Sequence, residues 1–219
     1  MHTNYPDPVP IRKPLFITLT VSVLLLLTAV IAAHALPVTY AVLFRDLGAG
    51  EELPVSHGIY SQIGLICWSL AAGALLLKLS SRLMRWDRER SYTLFGLLLT
   101  VVLGADDGFR IHESVFADAL GWDEKVAFAL YGLATVAYLL TFRQRILRSP
   151  WPFLLIALGC FAGSILVDLK PGIANYVGRQ GVFLFEDGLK LTGIIFWLGY
   201  HLLSSRQVVR RREEAVTAG

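Results

Sequence analysis

Asp106-Asp107-Gly108-Phe109-Arg110 and Glu186-Asp187-Gly188-Leu189-Lys190 share one pattern, acid-acid-Gly-apolar-base, and each sits in a stretch otherwise apolar enough to cross a membrane. An ionisable side chain at bilayer depth costs roughly 3 kcal/mol on insertion scales, and chains that keep several generally use them. Asp106, Arg110 and Glu113 follow i, i+4, i+7 and would share one helical stripe, beside a second stripe of Gly104, Gly108 and His112. A Gly-xxx-Gly stripe lets two helices approach closely, which would turn His112 toward a neighbouring helix rather than lipid. Glu186 and Asp187 precede Lys190 by four and three residues on another helix.

Three kinds of chemistry fit these residue types. The first is a divalent metal site, for which His112, Glu113, Asp168, Glu186 and Asp187 are candidate ligands, with His57 as an addition. Carboxylates with imidazole suit zinc, manganese or iron, and an open coordination position would serve hydrolysis or group transfer. In that reading Asp106 and Asp107 act as ligand or general base, while Arg110 and Lys190 stabilise developing negative charge. No HExxH or cysteine spacing accompanies the set. The second is a proton- or cation-coupled carrier, since carboxylates beside Arg or Lys inside a bundle resemble the relays of pumps. Against it, the inner halves of the helices offer only a sparse path of Gln62, Ser69, Thr192 and His201. The third is a non-catalytic structural or lipid-binding role, with Arg110, Lys170, Arg179 and Lys190 meeting a lipid or small-molecule phosphate and Tyr60 and Tyr176 lining the mouth. Ser114 and Ser164 lie near acids but form no nucleophile elbow.

A plainer reading competes with all three. Each acid pair has a base one turn further on, so the charges could simply neutralise one another while Arg110 and Lys190 reach toward the headgroups. Counting favours a working site. Asp106, Asp107, Glu113, Asp168, Glu186 and Asp187 face only Arg110, Lys190 and Lys170, an excess of three negative charges. Such an excess needs bound protons, a cation or access to water.

The elements that must position these groups follow from composition. The 219 residues are 55% hydrophobic and 17% charged, with mean hydropathy +0.57. Soluble domains carry about a quarter charged residues, so the expectation is an all-α, polytopic transmembrane helix bundle. Six spans are expected near 15–35, 57–79, 91–115, 124–142, 151–168 and 182–204. Residues 1–14 form an N-terminal tail, 15–205 the membrane domain and 206–219 a basic C-terminal tail. Basic connections (Arg12 and Lys13; Lys78 to Arg90; Arg143 to Arg148; Arg206 to Arg212) alternate with acidic or mixed ones. The positive-inside rule then puts both termini in the cytoplasm of a multi-pass cell-membrane protein, most simply in a bacterial inner membrane. Trp86, Trp122 and Trp151 fall at expected water–lipid boundaries.

Arg12-Lys13 also leads an apolar run ending Ala33-His34-Ala35, as a signal peptide would, but a run of about twenty residues exceeds a signal core of 7–15. The net charge of +3 is spread over short connections and carries no nucleic-acid signal, and oligomeric state is not legible. Cys67 and Cys160 lie within spans, which argues against a disulfide framework.

Helical rise of about 1.5 Å per residue places Asp106 about 22 Å and Asp168 about 25 Å along their spans from the inner side, with Glu186 and Lys190 about 6 and 12 Å below the outer surface. Three non-neighbouring helices would thus deliver charge to one outer level, close to His34 and His57. His201, about 22 Å from Glu186, falls outside it. The two strings do not indicate an inverted repeat, because an odd-helix duplication would put them on opposite sides.

Overall fold

The protein is described by a computed structural model, covering residues 11–44, 57–80, 88–170, 172 and 174–217. Over these residues it is helical, with no strand. The helices are α1 (Arg12–Ala35), α2 (Tyr40–Phe44), α3 (Ile59–Ser80), α4 (Arg88–Phe109), a π-helical segment (His112–Ala119), α5 (Glu124–Ile146), α6 (Trp151–Asp168) and α7 (Ala174–Thr217). Among them α1, α3, α4, α5 and α6 are long and apolar enough to cross a membrane. A bilayer core of about 30 Å needs about 20 such residues.

Burial runs inside out relative to a soluble protein. Phe16, Leu77, Leu133 and Leu140 are 70, 76, 67 and 68% exposed, whereas Lys78, Thr93, Thr100, Asp106, His201 and Ser204 are buried. Large apolar side chains around the whole perimeter are costly in water and free of cost in lipid. This pattern, with the five long helices, makes the chain a multi-pass membrane protein.

α7 is the axle of the bundle. It packs on α6, α3, α2 and α1, and α4 packs on α3 and α5. Leu191, Ile194, Phe196, Trp197, Tyr200 and His201 of α7 are all buried. A helix wrapped by other helices need not be uniformly apolar, which is why α7 accommodates Glu186, Asp187, Lys190 and His201. It extends beyond the expected 182–204 in both directions, and Gly178, at φ 73°, breaks its first turns from the main body. From the charges and small residues in the sequence, the helices carrying Asp106, Asp168 and Glu186 are expected at the packed centre. The packing adds α3 to that centre.

Small residues set the helix spacing, as their sequence pattern indicated. A Cβ on Gly104 would lie 3.0 Å from the Trp68 Cβ, and one on Gly108 would lie 2.9 Å from Leu65 Cδ2, so this stripe faces α3. On α7, a Cβ at Gly193 would come within 2.6 Å of the Phe161 ring and 3.1 Å of the Ala157 carbonyl oxygen. Backbone cannot yield there. Gly193→Val should therefore lower stability by about 1–3 kcal/mol through overpacking, read as the thermal midpoint of purified protein. Gly159→Ala, with nothing within 4 Å of its new methyl, should be neutral or slightly stabilising.

Asp123 caps α5, accepting from the Lys125 backbone N–H at 2.9 Å. That bond, reinforced by the Lys125 ammonium, holds the Asp123 carboxyl below the usual carboxylate range. Trp122 and Trp151 lie half-exposed beside helix starts, and Trp86 falls outside the described residues.

Candidate functional site

α4 does not run through to residue 115. It stops at Phe109, and Arg110 takes a left-handed backbone, φ 51°, before the π-helical turn begins. The single stripe expected for Asp106, Arg110 and Glu113 is therefore broken, as is that of Gly108 and His112. Aspartate reads poorly inside a helix because its carboxylate competes for backbone donors, and here Asp106 does so. Its Oδ1 accepts the His112 backbone N–H at 2.8 Å, and its Oδ2 lies 2.9 Å from His112 Nδ1. Oδ1 also accepts the Tyr131 hydroxyl at 3.0 Å, which brings in α5. The His112 ring rests on Phe128. Asp106 is buried, 8% exposed, yet every contact just described is polar.

Asp107 turns the other way, toward α3 and α7. Trp68 Nε1 donates to Oδ2 at 3.2 Å, and Lys190 Nζ stands 3.1 Å from Oδ1. Lys190 also reaches Asp187 at 3.5 Å. A cleft of about 10 Å³, the room one water needs, opens beside Asp107, Asp187 and Lys190 and is bounded by Tyr60, Ser61 and Gly64. Adjacent residues of one helix thus hold three other helices to a common level.

Of the residues expected at this level, the structure gathers Asp106, Asp107, His112, Asp187 and Lys190. Glu186 is half-buried one position before Asp187. Arg110 is exposed at the helix break. The Glu113 side chain lies outside the described residues, as do Asp46, Glu51, Glu52, Arg82 and Arg85. Asp168 does not join: it ends α6 exposed, followed by exposed Lys170. Asp168→Asn should accordingly change stability by no more than about 0.5 kcal/mol, measured by thermal unfolding. His34 bonds the Val30 carbonyl of its own helix, and His57 is buried with Nε2 unpartnered.

The metal reading finds no support. Among the described residues, no three His, Cys, Asp or Glu side chains are placed to hold an ion. The physical reason is the partition of donors. Asp106 is committed to His112 and Tyr131, Asp107 and Asp187 to Lys190, and Asp168 to solvent.

The half of the bundle away from Asp106 is the larger surprise, because it is not sparse. Trp68 lies 5.9 Å from Trp197, whose Nε1 donates to Thr100 at 3.0 Å. Trp197 and Tyr200 both present ring edges to His201 at 5.0 Å. His201 is 1% exposed with neither ring nitrogen hydrogen-bonded, and the Tyr138 hydroxyl is likewise unpartnered. The Tyr200 hydroxyl bonds that of Tyr92 and receives Ser149 at 3.0 Å. Lys78 stands 5.2 Å over the Tyr92 ring and 2.8 Å from Glu89, which also pairs with Arg145. Lys78 belongs by sequence to a loop-like basic cluster, yet its side chain is only 3% exposed. A seam of aromatic and polar side chains thus joins Asp107 to Glu89 along α3, α4 and α7. Tyr92, Tyr138 and Tyr200 were the available signal, since a tyrosine within a span brings a hydroxyl that needs a partner.

The family described as a domain of unknown function (DUF8692) matches residues 15–204, most of the chain and all the residues just described. No curated protein matches the chain, and no solved structure does.

Proposed function

The chain belongs to that family of unknown function, DUF8692, and from this premise we propose that it is a proton-coupled membrane carrier in which Asp106 and His112 exchange the proton. The observation that carries this reading is the 2.9 Å contact between the buried Asp106, through Oδ2, and Nδ1 of the part-buried His112. A carboxylate and an imidazole at that distance can pass one proton between them, and the imidazole is the group that ordinarily titrates near neutral pH, which is what reversible loading requires.

Charge balance supports the reading. Asp106 pairs with one imidazole, His112, while Asp107 and Asp187 share one ammonium, Lys190. Even with His112 protonated, that set keeps one negative charge, so uptake of a further proton is favoured by the site's own field. Between Asp107 and Glu89 the polar groups available to an inner path are Thr100, His201, Tyr200, Tyr92 and Lys78, while Trp68 and Trp197, which can donate but not accept, pack the seam rather than relay a proton. Six crossings, with α7 as the sixth and both termini cytoplasmic, complete the proposal. In that orientation Asp106 opens to the outer side of a cell membrane and Glu89 to the inner.

Reconstitution tests it directly. Full-length protein in phosphatidylcholine–phosphatidylglycerol vesicles, loaded with a pH-sensitive dye, is given an imposed pH gradient with potassium and valinomycin clamping the potential. Luminal pH should equilibrate several-fold faster than in protein-free vesicles. Equal rates would overturn the proposal.

A further inference from the structure

At the end of the bundle opposite Asp106 the helices part around a cavity of about 490 Å³, well within the range of small-molecule sites. Among the described residues its walls hold five cations, Lys78, Arg88, Arg143, Arg145 and Arg148, and one carboxylate, Glu89. Lys78 and Arg145 already meet Glu89, so the lining keeps a large positive surplus. Positive residues at a cytoplasmic boundary are expected on topology grounds alone, but two features exceed that expectation.

The first is that Lys78 is buried rather than splayed into water, and it is held against both Glu89 and the Tyr92 ring. The second is the backbone. Every residue from Leu140 to Arg145 lines the cavity, whereas a regular helix shows a neighbour only one face. Phe142 explains the difference: at φ −109°, ψ 17° it is not helical, and α5 kinks around it. Kinks interrupt the helical hydrogen-bond ladder and free backbone polar groups toward whatever fills the bend. The kink thus builds a concave, cationic wall from what would otherwise be a convex helix end.

From this we infer that the cavity binds a phosphate-bearing anion. Guanidinium forks match phosphate oxygens bidentately, and several converge here around a lysine point charge. Leu140, exposed on the lipid-facing side of the same wall, admits an apolar portion of the ligand. A phospholipid headgroup and a soluble phosphate share this chemistry. The inference goes beyond the carrier reading, because none of these groups belongs to the Asp106 level.

The test compares two double variants of the full chain in detergent, each removing two positive charges. Arg88→Gln/Arg143→Gln alters exposed residues in the cavity wall, and Arg12→Gln/Lys13→Gln alters exposed residues at the start of α1 that do not line it. Native mass spectrometry with added phosphatidylglycerol against phosphatidylcholine reads lipid binding. Calorimetric titration with inorganic phosphate reads the soluble source. Wild type should bind at least one of phosphatidylglycerol and phosphate, and whichever binds identifies the source. The cavity variant should lose about tenfold or more in affinity for that probe, and the α1 variant should keep it. Circular dichroism should report both variants folded, as their targets are solvent-facing. Equal loss in both variants would mean generic surface attraction, and no loss in the cavity variant or no binding by wild type would equally overturn the inference.

Discussion

Asp106→Asn is expected to reduce proton flux in the vesicle assay to the protein-free rate while leaving the protein folded. Asparagine keeps an oxygen that can accept the Tyr131 hydroxyl and the His112 backbone N–H, the contacts now made by Oδ1. What it removes is the second carboxylate oxygen, which faces His112 Nδ1, and with it the ability to take up a proton. Asp106→Ala removes all three contacts instead. It leaves a part-buried hydroxyl and a part-buried backbone donor without their acceptor, at about 1 kcal/mol each, the low end of the penalty for an orphaned polar group. The two variants therefore separate chemistry from support. Asparagine should lose flux with a small shift in thermal midpoint, whereas alanine should lose both. A carrier whose asparagine variant conducts like wild type would not be using this carboxylate.

The second large effect is expected at the other end. Glu89→Gln should destabilise the protein by about 3 kcal/mol, because the carboxylate stands between Lys78 and Arg145 and its loss leaves two cations facing each other. Removing one partner of a buried ion pair costs about 3–5 kcal/mol, and Glu89 belongs at the low end because its side chain is 26% exposed. The thermal midpoint should fall by roughly 6–12 °C on the scaling for chains of this size. Arg145→Gln, at the more exposed partner, should cost no more than about 1 kcal/mol. If the glutamine variant were as stable as wild type, Lys78 would be drawing its compensation from elsewhere.

The sequence predicted the broad architecture and missed what interrupts it. Apolar runs of membrane length announced the long helices, and small residues announced which faces pack closely. Counting rise along each helix put Asp106, Asp168, Glu186 and Lys190 at one level; Lys190 does meet Asp107, the neighbour of Asp106, whereas Asp168 ends its helix exposed and stays apart. Periodicity, however, assumes an unbroken helix. It carried α4 through Arg110 and put Glu113 on the same stripe as Asp106. No propensity marks a non-glycine residue at φ 51° in advance, because tertiary contacts hold it there. Composition likewise could not show that Lys78 turns inward or that α5 bends at Phe142. The first depends on a partner, Glu89, brought in from another helix, and the second is a single non-helical residue inside an otherwise helical run.

One carboxylate does two jobs in this molecule. Asp106 meets the imidazole of His112 and also anchors the peptide N–H that starts the π-helical turn, across a residue in a left-handed conformation that costs of order 1–3 kcal/mol to maintain. A proton arriving on that carboxylate would weaken the grip on the peptide and so relax the bend. Loading and backbone release would then be a single mechanical event, a latch that charge itself springs.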